Sequence, residues 1–144
     1  MVRCLDADPA RTSDLIQALE SVLQLWPQSD QARNDLAYLR LLDGKPNPDN
    51  LTIVATLNQE SPWFLSFRIT AALAQLHQKN PAEALALLTS EPIPWDRVRP
   101  GWQAIYAATL TANGQTAEAQ PIATRLKNAP LRPGEQKLLD PLGK

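Results

Sequence analysis

Apolar residues recur along this chain at the three- and four-residue spacing of helices and nowhere at the two-residue alternation of strands. Leu15, Leu19, Val22, Leu23 and Trp26 share one helical face behind a Ser13 cap, and Pro27 ends the run. A second helix is expected from about Asp30 to Leu42, with Leu36, Leu39 and Leu42 spaced for burial and Asp43-Gly44 as its stop. Asn47-Pro48 restarts the chain, since proline at the first helical position loses an N–H that has no partner there anyway. That third helix uses Leu51, Val54 and Leu57 and ends before Pro62. The fourth is expected over Pro62 to Gln78.

Asn80-Pro81-Ala82-Glu83 combines a cap, a first-position proline and a glutamate placed for a capping box, and predicts a helix from Pro81 to about Thr89. Pro92, Pro94 and Pro100 then rule out continuous helix up to the next start at Trp102. Helix runs to Ala112, stops at Asn113-Gly114 and restarts at Thr116, with a kink or late start expected from Pro121. After Pro130 one short helix is expected around Glu135 to Leu139.

These elements recur with a period. Ala37, Ala72 and Ala107 are 35 residues apart, each seven residues before a break at Gly44, Lys79 and Gly114, and Pro27 and Pro62 repeat the interval. A fixed period of that length marks a solenoid, whose units stack on their neighbours and present extended surfaces.

Three segments resemble tetratricopeptide repeats. Asn34 to Gly44 is similar to a first helix with its terminating glycine. Ala71 to Leu88, containing Asn80-Pro81-Ala82-Glu83-Ala84-Leu85, is similar to a first helix, turn and second helix, and Trp102 to Ala119 repeats it. Ala37, Ala72 and Ala107 match the family's small residue where the two helices of a repeat touch, and Ala84 and Ala119 match that of the second helix. The resemblance implies an all-α, right-handed solenoid of antiparallel helix pairs in a single domain. It would hold a leading half-repeat at 13–27, repeats at about 30–61, 62–91 and 100–129, and a tail or cap at 130–144. The extra Pro46-Asn47-Pro48 turn and the proline-rich insert before Trp102 depart from the family pattern, and Leu and Ala replace its usual aromatics.

The resemblance also implies a concave groove lined by the first helices. Matching positions give Gln31, Asn34, Tyr38 and Leu41, then Ser66, Ile69, Leu73 and Leu76, then Gly101, Ala104, Ala108 and Thr111. Co-chaperone members hold a C-terminal carboxylate with Lys, Arg and Asn there; only Asn34 suits that role. An apolar middle fits an amphipathic or extended apolar peptide. Two other readings stand beside it: Leu73 and Leu76 as ordinary core, or the chain's own C-terminal segment as the groove's occupant.

Charge changes the picture only in its distribution. The 144 residues carry 14 basic and 15 acidic side chains, which gives no global nucleic-acid signature. Residues 1–96 hold 7 basic and 12 acidic groups, a net of −5, and residues 97–144 hold 7 and 3, a net of +4. An acidic partner is therefore expected at the C-terminal third. Kinesin light chains and short bacterial kinesin-light-chain-like proteins share the repeat architecture, which extends the expectation to an acidic cytoskeletal filament. Trp95, Arg97, Arg99 and Trp102 share a proline-stiffened loop whose residue types suit a protein interface or an anionic lipid headgroup layer. The same loop also reads as a packed connector that seals the second repeat.

No chemistry-bearing motif emerges. Cys4 is the sole cysteine, which excludes an internal disulfide and a cysteine metal cluster, and His77 is the sole histidine, at a helix end without partners. Asp6, Asp8 and Asp140 lack ligand spacing, and the glycines form no phosphate loop. The expectation is a non-catalytic, cofactor-free protein-binding scaffold. Its first residues lack the apolar core of a signal peptide and no run reaches the roughly 18 apolar residues of a membrane span, so a cytoplasmic location is expected, with lipid contact at most peripheral. A fragment of a longer repeat array is a further alternative.

Overall fold

The computed structural model describes residues 12–42, 44 and 48–140. The expectations placed on Cys4, Asp6, Asp8, Asp43 and Asn47, and on the Ser13 side chain, lie outside what is described. Among the described residues there are eight helices and no strand. They are α1 (Thr12–Leu25), α2 (Asp30–Leu42), α3 (Pro48–Glu60), α4 (Leu65–His77), α5 (Pro81–Thr89), α6 (Pro100–Ala112), α7 (Thr116–Arg125) and α8 (Pro133–Leu138).

Helix boundaries follow local backbone chemistry. Gly44, Lys79 and Gly114 are the described residues with positive φ, at 73°, 62° and 79°, and each ends the first helix of a pair. Two of these sites use the residue without a Cβ; Lys79 carries the left-handed strain of an ordinary side chain. The prolines at the other end of the pairs serve turns. Ser29 N donates to Trp26 O at 3.1 Å around Pro27, and Phe64 N donates to Ser61 O at 3.0 Å around Pro62. Proline suits the second position of such turns because its φ is already set. That is why α4 starts at Leu65 and not at Pro62: Pro62 belongs to the turn, and Phe64 caps the helix in an extended conformation.

Three further boundaries differ from expectation. Pro100 begins α6 at its first position, two residues before Trp102, with Arg99 extended ahead of it. α8 likewise starts at Pro133 rather than near Glu135. Pro121 lies inside α7 without delaying its start at Thr116. Pro121 and Ala117 are both exposed, so the carbonyl that loses its helical donor can be hydrated. At α5 the Asn80 side chain makes no cap hydrogen bond; its Nδ2 donates to Gln75 Oε1 at 3.1 Å instead.

Each helix from α1 to α7 packs on its chain neighbour, and α2, α4, α6 and α8 touch in series. The small residues permit this closeness. Ala37, Ala72 and Ala107 are 1%, 0% and 0% exposed, and Ala84 and Ala119 are fully buried. One apolar cluster runs from Leu15 in α1 through Ile69 and Leu88 to Ile105 in α6. A second joins α6, α7 and the chain beyond α8 through Ala107, Ile122, Leu126 and Leu139. Buried polar groups tie pairs together. Arg68 in α4 donates to Leu87 O at 3.2 and 2.8 Å and to Ser90 Oγ at 3.0 Å, which satisfies the end of α5. Asn113 Nδ2 donates to Pro81 O at 2.9 Å, joining the end of α6 to the start of α5.

Candidate functional site

The N-terminal ends of four helices open onto one cleft of about 740 Å³. Asn34 from α2, Ser66 from α4, Gly101 and Trp102 from α6 and Glu135 from α8 all line it, with Leu15 and Leu19 of α1 behind. This common lining follows from the topology: first helices of successive pairs run in the same sense, so their starts emerge at one end. The cleft mixes an apolar wall with polar groups, the composition typical of sites that bury part of a ligand and fix its orientation.

Its electrostatics favour acceptor groups at the helix ends. Neither α4 nor α6 has a side-chain cap hydrogen bond, so the positive dipole ends of both face the cleft region. Phe67 N and Trp102 N already donate to the Phe64 and Arg99 carbonyls, and Pro100 has no N–H. Arg99 and Arg132 add cations and Asp35 an anion that accepts from Gln31 Nε2 at 2.7 Å. Two polar atoms in the lining have no hydrogen-bond partner: Asn34 Oδ1, in a side chain only 2% exposed, and Ser66 Oγ. A buried polar atom left unmatched costs free energy that a ligand can return by bonding it.

The C-terminal segment closes the other side. Tyr38 Oη donates to Glu135 Oε2 at 2.6 Å, and Arg132 N donates to Glu135 Oε1 at 2.9 Å. Glu135 lies over Gly101, where a Cβ would overlap its carboxylate. A Cβ on Gly134 would meet Leu42 O at 2.6 Å, so α8 sits directly against the end of α2. Burial first, then the charge and hydrogen bond of Glu135, hold the Tyr38 hydroxyl well above its ordinary range, with Arg99 and Arg132 pulling weakly the other way.

Of the residues singled out by sequence, Asn34, Tyr38, Arg99 and Trp102 come together in this cleft, with Gln31, Ser66 and Gly101 beside them. Leu41, Ile69 and Leu73 are 0%, 0% and 1% exposed and are packed in the core, as is Ala104. Leu76 is half-buried against that core, and Ala108 and Thr111 are half-buried. Trp95 stacks on Tyr106 with ring centroids 4.1 Å apart, and burial with Glu118 nearby raises the Tyr106 hydroxyl. Arg97 is exposed, and Arg99 lies 4.8 Å over the Trp102 ring.

Sequence reading missed Glu135 and Arg132, although the short helix at that point was visible, because nothing local says which helix it will touch. It also missed Trp63 and Phe64, which are 72% and 45% exposed. It placed Trp26 on the apolar face of the first helix, whereas that helix ends at Leu25 and Trp26 is 62% exposed in the turn beyond. The signal for these was present as the Trp26-Pro27 and Pro62-Trp63 pairs. His77 is exposed at the end of α4. No helix among the described residues is long and apolar enough to cross a membrane. The chain matches no family model, no curated protein and no solved structure.

Proposed function

We propose that this chain is a non-catalytic scaffold of tetratricopeptide type that holds an extended segment of a partner protein in the cleft at the starts of α2, α4, α6 and α8. The observation that carries the reading is the pair of unmatched atoms, Asn34 Oδ1 and Ser66 Oγ, in a cleft with uncapped helix ends. A main-chain amide offers a donor and an acceptor together, which suits the Asn34 side chain beside the positive start of α4. The Phe64 and Trp102 rings at the lining provide apolar contact for side chains of such a segment. The helix pairs, their small contact residues and the 35-residue spacing of left-handed stops support the right-handed superhelix the repeat resemblance implies. In this reading α8 occupies part of the concave side, leaving the cleft at one end open. An acidic filament would find its counter-charge in the basic residues 97–144.

Selection of peptides from a random library, followed by calorimetric titration, tests the proposal. Selected peptides should bind the parent chain, and Asn34→Ala should weaken them by about five- to tenfold, the equivalent of one hydrogen bond. Failure to enrich any peptide, or affinities indifferent to Asn34→Ala and Arg99→Ala in folded variants, would exclude the cleft as the site.

A further inference from the structure

All four tryptophans of the chain lie at the connections between helix pairs or just beside them. Trp26 follows α1, Trp63 is in the α3–α4 turn, Trp95 is in the α5–α6 connection, and Trp102 is in the first turn of α6. These connections share one end of the helix stack, because the helices they lead into open their N-termini onto the same cleft. The large hydrophobic residues left exposed among those described are also here: Leu25 at 70%, Trp26 at 62%, Trp63 at 72% and Phe64 at 45%. Pro27 and Pro62 lock the two turns that hold Trp26 and Trp63 outward. Bare aromatic groups on successive turns are not explained by packing among the described residues, and such patches mark interaction surfaces.

Charge on this edge is uneven. Arg97, Arg99, Arg125 and Lys127 are exposed on the α5–α6 connection and around the end of α7, against Glu91 and Asp96. Toward α2 and α4 stand Asp30, which pairs with Arg33 at 3.4 Å, and Glu60. The uncapped starts of α4 and α6 add positive partial charge on the same side. Exposed indoles have an apolar body and a polar N–H, the combination enriched at the headgroup level of bilayers, and neighbouring cations favour anionic lipid.

We propose that this end of the stack is a membrane-docking edge: Leu25, Trp26, Trp63 and Phe64 enter the interfacial layer of an anionic bilayer while Arg97, Arg99, Arg125 and Lys127 face its headgroups. The contact is peripheral and leaves the helix stack above the surface. It extends the edge well beyond the Trp95–Trp102 loop, whose Trp95 is already engaged with Tyr106.

Because every tryptophan is on this edge, intrinsic emission reports docking directly. The protein is sedimented with phosphatidylcholine vesicles with and without phosphatidylglycerol, and its emission and acrylamide quenching are recorded alongside. Binding to the phosphatidylglycerol vesicles at low salt is expected, with a blue shift and protection from quenching, and it should weaken as salt rises. Trp26→Ser with Trp63→Ser should reduce partitioning on the order of tenfold or more, given the apolar area two rings would bury. Since both rings are exposed, the melting temperature should hold, and neither side chain lines the cleft, so peptide binding should be untouched. Arg97→Glu with Arg99→Glu should remove the preference for phosphatidylglycerol. Absence of vesicle binding at low salt overturns the proposal, and so does binding that the Trp26 and Trp63 changes leave intact. Self-association without vesicles that the same two changes abolish also overturns it, in favour of a second copy of the chain as the occupant.

Discussion

Tyr38 in α2 donates its hydroxyl to the buried carboxylate of Glu135 in α8, 2.6 Å away across 97 residues of chain. The bond closes the C-terminal helix over the first helices and completes one wall of the cleft. Removing the donor leaves a buried carboxylate with one partner fewer. Tyr38→Phe should therefore destabilise the fold by about 1–3 kcal/mol, measured by urea unfolding at neutral pH.

The same pair makes stability fall at high pH. Burial and Glu135 raise the Tyr38 hydroxyl in the folded state above its ordinary value of 10.0. Below pH 10 both states hold this proton. Above it the unfolded chain releases the proton first, so the unfolded state gains and stability declines as pH climbs toward the folded value. Unfolding curves taken from pH 8 to 11.5 should show that decline in the parent, and a shallower one in Tyr38→Phe, where the raised hydroxyl of Tyr106 still contributes.

Gly101 has no room for a side chain because the Glu135 carboxylate fills the space a Cβ would take. Gly101→Ala should cost about 1–3 kcal/mol by displacing α8, although alanine is otherwise the better helix former. Amide exchange should accelerate in α8 well before it does in α4. Uniform exchange, or a stabilised protein, would show that α8 is not seated on α6.

Lys79 holds φ 62° where the two equivalent stops use glycine. Lys79→Gly should stabilise by about 0.5–1 kcal/mol, since relief of left-handed strain exceeds the added freedom of the unfolded chain. Gly114→Ala should do the opposite by a similar amount. Thermal melts of the two variants check the sign in one experiment.

Ala72 and Ala107 are fully buried at close helix contacts. Ala72→Leu or Ala107→Leu should overpack those contacts and cost about 1–3 kcal/mol each, read from chemical denaturation. Unchanged midpoints in both would contradict the tight crossing of α4 and α6 with their neighbours.

Much of the helical layout is decided within a few residues of each boundary, and there the sequence alone determined it. Gly44, Lys79 and Gly114 stop helices because of backbone geometry at one residue, and the apolar spacing of α5 selects the face that buries Ala84 and Leu88. By contrast, α2 is buried almost all round, with Leu42 half-buried and Leu41 sealed. The buried alanines were legible for the same reason: a 35-residue phase is carried in the sequence itself. Prolines were only half legible, because the residue suits both a turn and a first helical position. Pro62 went to the turn and Pro100 to the helix, and the neighbouring backbone made that choice.

What only the tertiary structure decided is which distant groups meet. Tyr38 and Leu41 lie on the same helix, yet one reaches the cleft and Glu135 while the other is sealed in the core. The difference arises from packing: α4 and α8 touch parts of α2 that no local pattern distinguishes. Trp95 and Trp63 look alike along the chain, but Tyr106 gives one a stacking partner and nothing among the described residues covers the other. Helix formation answers to neighbours three and four residues away, and a binding surface answers to whatever the folded chain leaves bare.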